Sequence, residues 1–343
     1  MKHIIFALLV VLLVFAWYQT TPPQNESEII AVEVEPGDRY YTISEKLKEA
    51  GLIRSELAFK AYLYFNNPET LQAGFYMLDK SWSINRIIEE FEKGPEKSDE
   101  VVNVTIPEGR NMRQAAERVA SVIIKDKDAI LDVWTSDSFV DDVINKYDFV
   151  TEDVKDEEIS YALEGYFFPD TYELLNIHVS PSYVAIRFLD KMERIYERYE
   201  AEITAHEFSF HEILTLASLV EHEAILDEDR PKVASVFFNR LDVNMRLESC
   251  ATLGYALGEW KVHYSSRDQE VDHPYNTYKY FGLPPGPGNM PGEKSIQAVL
   301  EPAETDYKFF RANVCDPDDQ KTYFSRTLDE HRAKGREFNF DCY

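Results

Sequence analysis

His211-Glu212-Ile213-Leu214-Thr215-Leu216-Ala217-Ser218-Leu219-Val220-Glu221-His222-Glu223-Ala224 decides how the C-terminal half of this chain is read. Ile213, Leu216, Ala217 and Val220 fall at helical spacing, which predicts a core-facing helix. Glu221 lies four residues after Ala217 and seven after Leu214, at the edge of that apolar face. A carboxyl group held against apolar side chains resists ionisation, so its pKa rises towards the range where it donates a proton at neutral pH. A general acid that cleaves an ether-like bond requires that property. On these residues alone, a structural glutamate paired with an arginine such as Arg240 or Arg246 explains the same position, because ion-pair networks also put carboxylates on apolar faces.

Outward from this helix, composition sets the bounds. The chain has 343 residues, 44% hydrophobic and 13% aromatic, enough for the cores of two or three domains. Its 62 acidic and 36 basic side chains leave a formal charge of -26. Such a surface repels phosphate backbones, which excludes nucleic acid as a partner, and it disfavours adhesion of the body to anionic lipid. Membrane attachment therefore needs a dedicated segment. Residues 4–18 supply one: a continuous apolar and aromatic run behind Lys2 and His3, closed by Trp17-Tyr18. As a helix it covers roughly 22 Å, extendable by its flanks towards a ~30 Å hydrocarbon core. A cleaved signal peptide with Val14-Phe15-Ala16 at the cut is the competing reading. The absence of a polar region before that cut and the aromatic pair after it favour an uncleaved anchor with Lys2 inside the cell. Both readings put the body outside the cytoplasm. Cys250, Cys315 and Cys342 match no zinc-site spacing and are read as structural or incidental, with one disulfide and one free thiol open to them.

The expected organisation is an anchor at 1–20, a linker at 21–29, a small module at 30–95 and a larger α+β domain at 101–343. Within that domain, 101–200 is the supporting part and 201–343 carries the site. The module reads as a strand at 30–35, a helix at 41–50 stopped by Gly51, a helix at 55–65, a strand at 73–78 and a helix at 83–91. A strand, two helices and a strand in so few residues resemble a LysM-like α/β unit, a small glycan-binding fold; a plain spacer explains the pattern equally well. A strand at 101–106 and the turn Pro107-Glu108-Gly109 lead into a helix from Met112. Residues 181–205 read as a long polar helix, solvated or bridging domains.

Four further stretches invite a chemical reading. Glu164-Gly165-Tyr166-Phe167-Phe168-Pro169-Asp170-Thr171-Tyr172 packs aromatics around a Gly and a Pro; a buried strand and turn is the plainer reading, the wall of a sugar groove the sharper one. A helix at 233–241 ends in a turn towards Met245-Arg246-Leu247. In Tyr275-Asn276-Thr277-Tyr278, Asn276 suits either an N-acetyl group or a structural turn. Gly282-Leu283-Pro284-Pro285-Gly286 opens a rigid loop of the kind that frames sites. His222-Glu223 lacks the second histidine of a helical zinc motif, and His263, Asp268, Asp272 and His273 read as a solvated cluster, so no metal is expected. Nor does any nucleotide-binding or serine-hydrolase fingerprint occur.

These stretches, with Phe238-Asn239-Arg240-Leu241 and Ala217 to Ala224, stand in the order seen in MltG-type (YceG-like) endolytic murein transglycosylases. The chain resembles that family over nearly its whole length. The resemblance implies a single-pass protein of the cytoplasmic membrane whose body cuts peptidoglycan between N-acetylmuramic acid and N-acetylglucosamine. It also implies action on nascent strands to end their elongation beside cell-wall synthases (penicillin-binding proteins), with no cofactor. It makes Glu221 the catalytic acid and assigns substrate contacts to Glu164, Tyr166, Asn239, Arg246, Thr252, Asn276 and Tyr278. The expected chemistry has Glu221 protonate the glycosidic oxygen, then accept the proton of the muramoyl C6 hydroxyl as it attacks C1, leaving a 1,6-anhydro end. Positioning of that intramolecular nucleophile replaces activation of water. One departure stands out. Where the family commonly has Gln-Ser-Asp-Pro-Thr, this chain has Glu248-Ser249-Cys250-Ala251-Thr252, so no carboxylate occupies the Asp position. A lysozyme-like hydrolase using Glu221 and a non-catalytic glycan-binding scaffold are the rival readings.

Overall fold

The computed structural model describes residues 18–25, 27–34, 38–66, 71, 74–94, 101–177, 179–261, 264–312 and 321–337. Most of the expected anchor at 1–20 lies outside them, as do His263, Cys315 and Cys342. No helix among the described residues is long and apolar enough to cross a membrane. The chain divides into two compact units, one of 1–103 with 122–124 and 173–184, the other of 104–121, 125–172 and 185–343.

In the first unit, strands β1 (Ile29–Val34) and β2 (Gly74–Asp79) pair antiparallel, with Ile29 opposite Asp79 and Val34 opposite Gly74. Helices α1 (Tyr40–Glu49) and α2 (Glu56–Asn66) lie between them in sequence, and α3 (Ile84–Lys93) follows. Ile43 and Leu47 on α1, and Ile84, Ile87, Ile88 and Phe91 on α3, repeat every three or four residues and are all buried. Tyr76 from β2 meets Phe91 edge-on at 4.6 Å. Ser83 starts α3 by accepting a hydrogen bond from the Arg86 amide. These elements match the sequence reading to within two residues.

The second unit is mainly helical. After β3 (Val102–Thr105), which pairs with β4 (Thr171–Leu174), come α4 (Met112–Ala120), α5 (Lys127–Trp134) and α6 (Asp137–Lys146). Beyond β4 run α7 (Pro181–Arg198), α8 (Glu200–Ala205), α9 (Phe210–Glu223), α10 (Arg230–Asp242), α11 (Cys250–Leu257) and α12 (Glu293–Leu300). An antiparallel hairpin, β5 (Phe309–Ala312) and β6 (Thr322–Ser325), precedes α13 (Leu328–Glu337).

Helix α9 is the axis of this unit, packing against α10, α11 and α12. Ser209 and Glu212 form a capping box at its start, with each side chain bonding the other's backbone N–H. Every residue from Ile213 to Val220 is buried, so the helix is central rather than amphipathic, and small Ala217 and Ser218 let neighbours approach. The solvated helix expected at 181–205 is different: Val184, Phe188, Met192 and Ile195 of α7 form a fully buried stripe, and the helix breaks at Tyr199. Its many charges obscured that stripe. The aromatic run after Glu164 follows the plainer reading, with Tyr166, Phe167 and Phe168 all in the core. Gly165 has φ +80 there, and an added Cβ would stand 2.4 Å from Pro287. Only glycine lets the Glu164 turn sit against the Pro- and Gly-rich loop.

Candidate active site

Glu221 stands in the last turn of α9, where the buried helix reaches the surface. Its side chain is only 7% exposed, yet its carboxyl group does not face an apolar wall. The chain bends after Ala224, and the first turn of α10 brings Arg230 back alongside. Arg230 Nη2 donates to Glu221 Oε1 at 3.2 Å, and Nη1 lies 3.1 Å from Oε2. The start of α12 supplies two more donors to Oε2: the Gly292 N–H at 2.9 Å and the Ser295 hydroxyl at 2.8 Å. Arg230 also donates to the Ser295 hydroxyl, and to Asp227 Oδ1 at 3.1 Å through Nε. The positive end of the α12 dipole adds to the same field. Arg230, Gly292 and Ser295 all present donors to the two carboxyl oxygens. The apolar setting expected from helical spacing is thus replaced by a buried ion pair, and its partner is Arg230 rather than Arg240 or Arg246.

A second carboxyl group reaches this place from the turn after β3. Gly109 (φ +72) donates its N–H to Met290 O at 2.9 Å, and the Met290 N–H donates to Arg110 O at 2.8 Å. These reciprocal bonds lock the Glu108-Gly109 turn to the segment that feeds α12. A Cβ built on Gly109 would lie 3.7 Å from Glu221 Cγ, and one on Gly292 would lie 2.0 Å from Glu108 Oε1. Burial and the negative charge of Glu221 push the Glu108 carboxyl above its usual range, against the opposing pull of Arg230 and Lys294.

Glu223 turns to the other side of α9. It accepts from the Ser249 hydroxyl at 2.6 Å and from the Ala251 amide at 3.4 Å, at the start of α11, and burial pushes its carboxyl up. Cys250, at the position where the family commonly has Asp, is an exposed free thiol 3.2 Å from the Tyr278 hydroxyl.

The remaining predicted residues do not converge on Glu221. Glu164 is 1% exposed, accepts from the Met112 amide at 2.8 Å and from Tyr255 at 3.4 Å, and is pushed up to about 8 by burial. Tyr166 is in the core, bonded to His211 Nδ1 at 3.0 Å. Asn239 donates to the carbonyls of Thr305 and Tyr307, both at 2.9 Å. Thr252 is buried against the Thr277 hydroxyl at 2.8 Å. Asn276 is fully buried; its amide donates to Gln269 O and Val271 O, and its carbonyl accepts from the Tyr278 amide. It braces the loop. Arg246 is exposed, bonded to Tyr278 O at 3.1 Å and lying over the Phe281 ring. Asp268 and Asp272 are held by Lys261 and Lys279.

Next to Glu221, the His222 ring stacks on Trp260 with centroids 4.2 Å apart. Trp260 borders a cavity of about 680 Å³ whose lining includes Arg113, Gln114, Tyr161 and Tyr255. Sequence reasoning missed Arg230, Gly292, Ser295 and Glu108. Arg230 stood within reach of the signal, nine residues after Glu221 at the head of the next helix. The others reach Glu221 only through tertiary structure.

The site thus joins a clamped helical carboxylate to a neighbouring histidine stacked on a tryptophan that borders a cavity. The chain matches the YceG-like family over residues 32–337 and is a member of it. Over 312 residues it is 33% identical to the endolytic murein transglycosylase of Bacillus subtilis (strain 168), covering 90% of this chain and 85% of that one. It is 32% identical over 322 residues to the protein of the same name from Streptococcus pneumoniae serotype 2, covering 58% of that longer chain. The crystal structure of a YceG-like protein from Listeria monocytogenes superposes with a TM-score of 0.65 at 37% identity, over 90% of this chain and all of that one.

Proposed function

We propose that this chain is an endolytic lytic transglycosylase of peptidoglycan with Glu221 as its catalytic carboxylate. The observation that carries the reading is the clamp: three residues from the starts of α10 and α12 hold one nearly buried carboxylate at the surface end of α9. The names of the relatives point to the same substrate. Glycan enters along the Trp260 side, where flat rings suit the apolar faces of sugars. As the bond between N-acetylmuramic acid and N-acetylglucosamine breaks, its electron pair stays with the glycosidic oxygen, which takes up a proton, while charge developing at C1 is shared with the substrate's acetamido oxygen and faces Glu221. The C6 hydroxyl attacks C1, its proton passes to Glu221, and a 1,6-anhydro end remains. Because the nucleophile belongs to the substrate, no protein nucleophile and no activated water are required.

The apolar run at 4–18 supports attachment to the cytoplasmic membrane with the body outside, as an enzyme on nascent strands requires. The strand–helix–helix–strand order of the first unit supports a LysM-like glycan contact. Cutting strands as they are made places the enzyme beside the synthases. Glu221→Gln tests the assignment: the variant, folded by circular dichroism, leaves purified sacculi uncut, whereas cleavage near the wild-type rate removes Glu221 from the chemistry.

A further inference from the structure

We propose that Glu108 is a second catalytic carboxyl group of this site, the one that protonates the departing glycosidic oxygen. The inference rests on the assignment of Glu221 and divides the acid and base work between two residues.

The geometry starts from Gly292. Its φ of -75 is open to any residue, so its backbone does not call for glycine. The Glu108 carboxyl lies in the volume a side chain would take, 2.0 Å from the missing Cβ, and would have to swing aside to admit one. The Gly292 N–H bonds Glu221 Oε2 at 2.9 Å. Ordinary backbone dimensions then put the two carboxyl groups no more than about 7.5 Å apart. That bound admits the ~5–5.5 Å of retaining carboxyl pairs and the lower end of the ~6.5–9.5 Å of inverting ones. The turn carrying Glu108 is fixed by its reciprocal bonds with Met290, so the placement does not depend on a loose loop.

The two groups differ in what holds them. Glu221 is occupied by Arg230, Gly292 and Ser295, all as donors. No hydrogen bond or ion pair among the described residues engages the Glu108 carboxyl, and the residue as a whole is exposed. Partial desolvation of the carboxyl group and the charge of Glu221 push its pKa up, against the pull of Arg230 and Lys294. In the reaction, the Glu108 proton moves to the glycosidic oxygen as the C1–O bond breaks and its electron pair stays with that oxygen. The C6 oxygen bonds to C1, and its proton passes to Glu221. Glu108 ends ionised and Glu221 protonated; exchange with solvent restores both, and no water is consumed.

The test uses the full chain in detergent, with Glu108→Gln, Gly292→Ala and Glu221→Gln, each checked by circular dichroism. Two substrates are compared: sacculi, and a synthetic muramoyl glycoside whose aryl leaving group departs without protonation. Glu108→Gln is expected to lower kcat on sacculi by about 10²–10⁴-fold and to flatten the alkaline limb of the pH profile, while cleaving the aryl glycoside at near the wild-type rate. Gly292→Ala displaces the Glu108 carboxyl and lowers kcat in the same direction, with no further loss when added to Glu108→Gln. Glu221→Gln fails on both substrates. Glu108→Gln that cuts sacculi within about threefold of wild type, or loses both substrates equally, overturns the role of Glu108. Glu221→Gln that cuts like wild type overturns the underlying assignment instead, whatever Glu108→Gln does.

Discussion

Replacing Arg230 with methionine removes the cation from Glu221 while keeping most of the side-chain stem. The two side chains are 9% and 7% exposed, so the pair is screened little by water. Removing one partner of a buried pair strands the other charge and costs about 3–5 kcal/mol. The Gly292 N–H and the Ser295 hydroxyl remain on Oε2, which places the expected loss near the lower figure. The arm to Asp227 adds little, because that carboxylate is 55% exposed and such pairs contribute about 0–1 kcal/mol. Glu221→Gln is expected to cost less, since Arg230 keeps Asp227 and Ser295. Urea unfolding of wild type, both single variants and the double variant closes a cycle whose coupling term is about 1–3 kcal/mol. The single Arg230→Met variant also loses most of its cleavage activity, because Glu221 is freed from its fixed orientation. Single-variant losses that add within about 0.5 kcal/mol, with cleavage retained by Arg230→Met, would refute the clamp.

Two other outcomes follow from buried polar groups. Glu164, held near 8 in the folded chain against 4.5 unfolded, keeps a proton on folding that the unfolded chain releases. Its contribution to stability is therefore complete below about pH 4.5 and falls as pH rises towards about 8. Glu164→Gln removes that dependence, so its urea midpoint gains on wild type between pH 5 and pH 8; a difference that does not move with pH contradicts the assignment. Asn276→Ala breaks three hydrogen bonds within the loop and is expected to cost at least about 2 kcal/mol in thermal or urea unfolding. Wild-type stability with weakened glycan affinity would return Asn276 to the role of reading an N-acetyl group.

The helix at the centre of the fold was legible because its apolar spacing and its terminal Glu221 lie together in the short run from His211 to Ala224. The small module was legible for the same reason: each strand and helix carries its own period and its own stop, such as Gly51. The surroundings of Glu221 were not. Gly292 and Ser295 lie more than seventy residues downstream and Glu108 more than a hundred upstream, and a carboxylate on an apolar face reads alike whether its open side meets water, hydrocarbon or an arginine. Asn276 and Tyr166 show the opposite failure. Both carry groups that suit a sugar, and the structure spends them on Val271, Gln269 and His211. Residue type alone does not separate a reader of ligand from a brace of backbone, because the hydrogen bonds are the same.

The most direct measurement is the chemistry of the new strand end. Sacculi digested by the full chain in oxygen-18 water give muramoyl ends that mass spectrometry separates into anhydro and reducing forms. The account predicts 1,6-anhydromuramoyl ends with no label, since the C6 hydroxyl and not water attacks C1. Reducing ends heavier by one water, with label at C1, would contradict it and make the Glu108–Glu221 pair the machinery of a hydrolase.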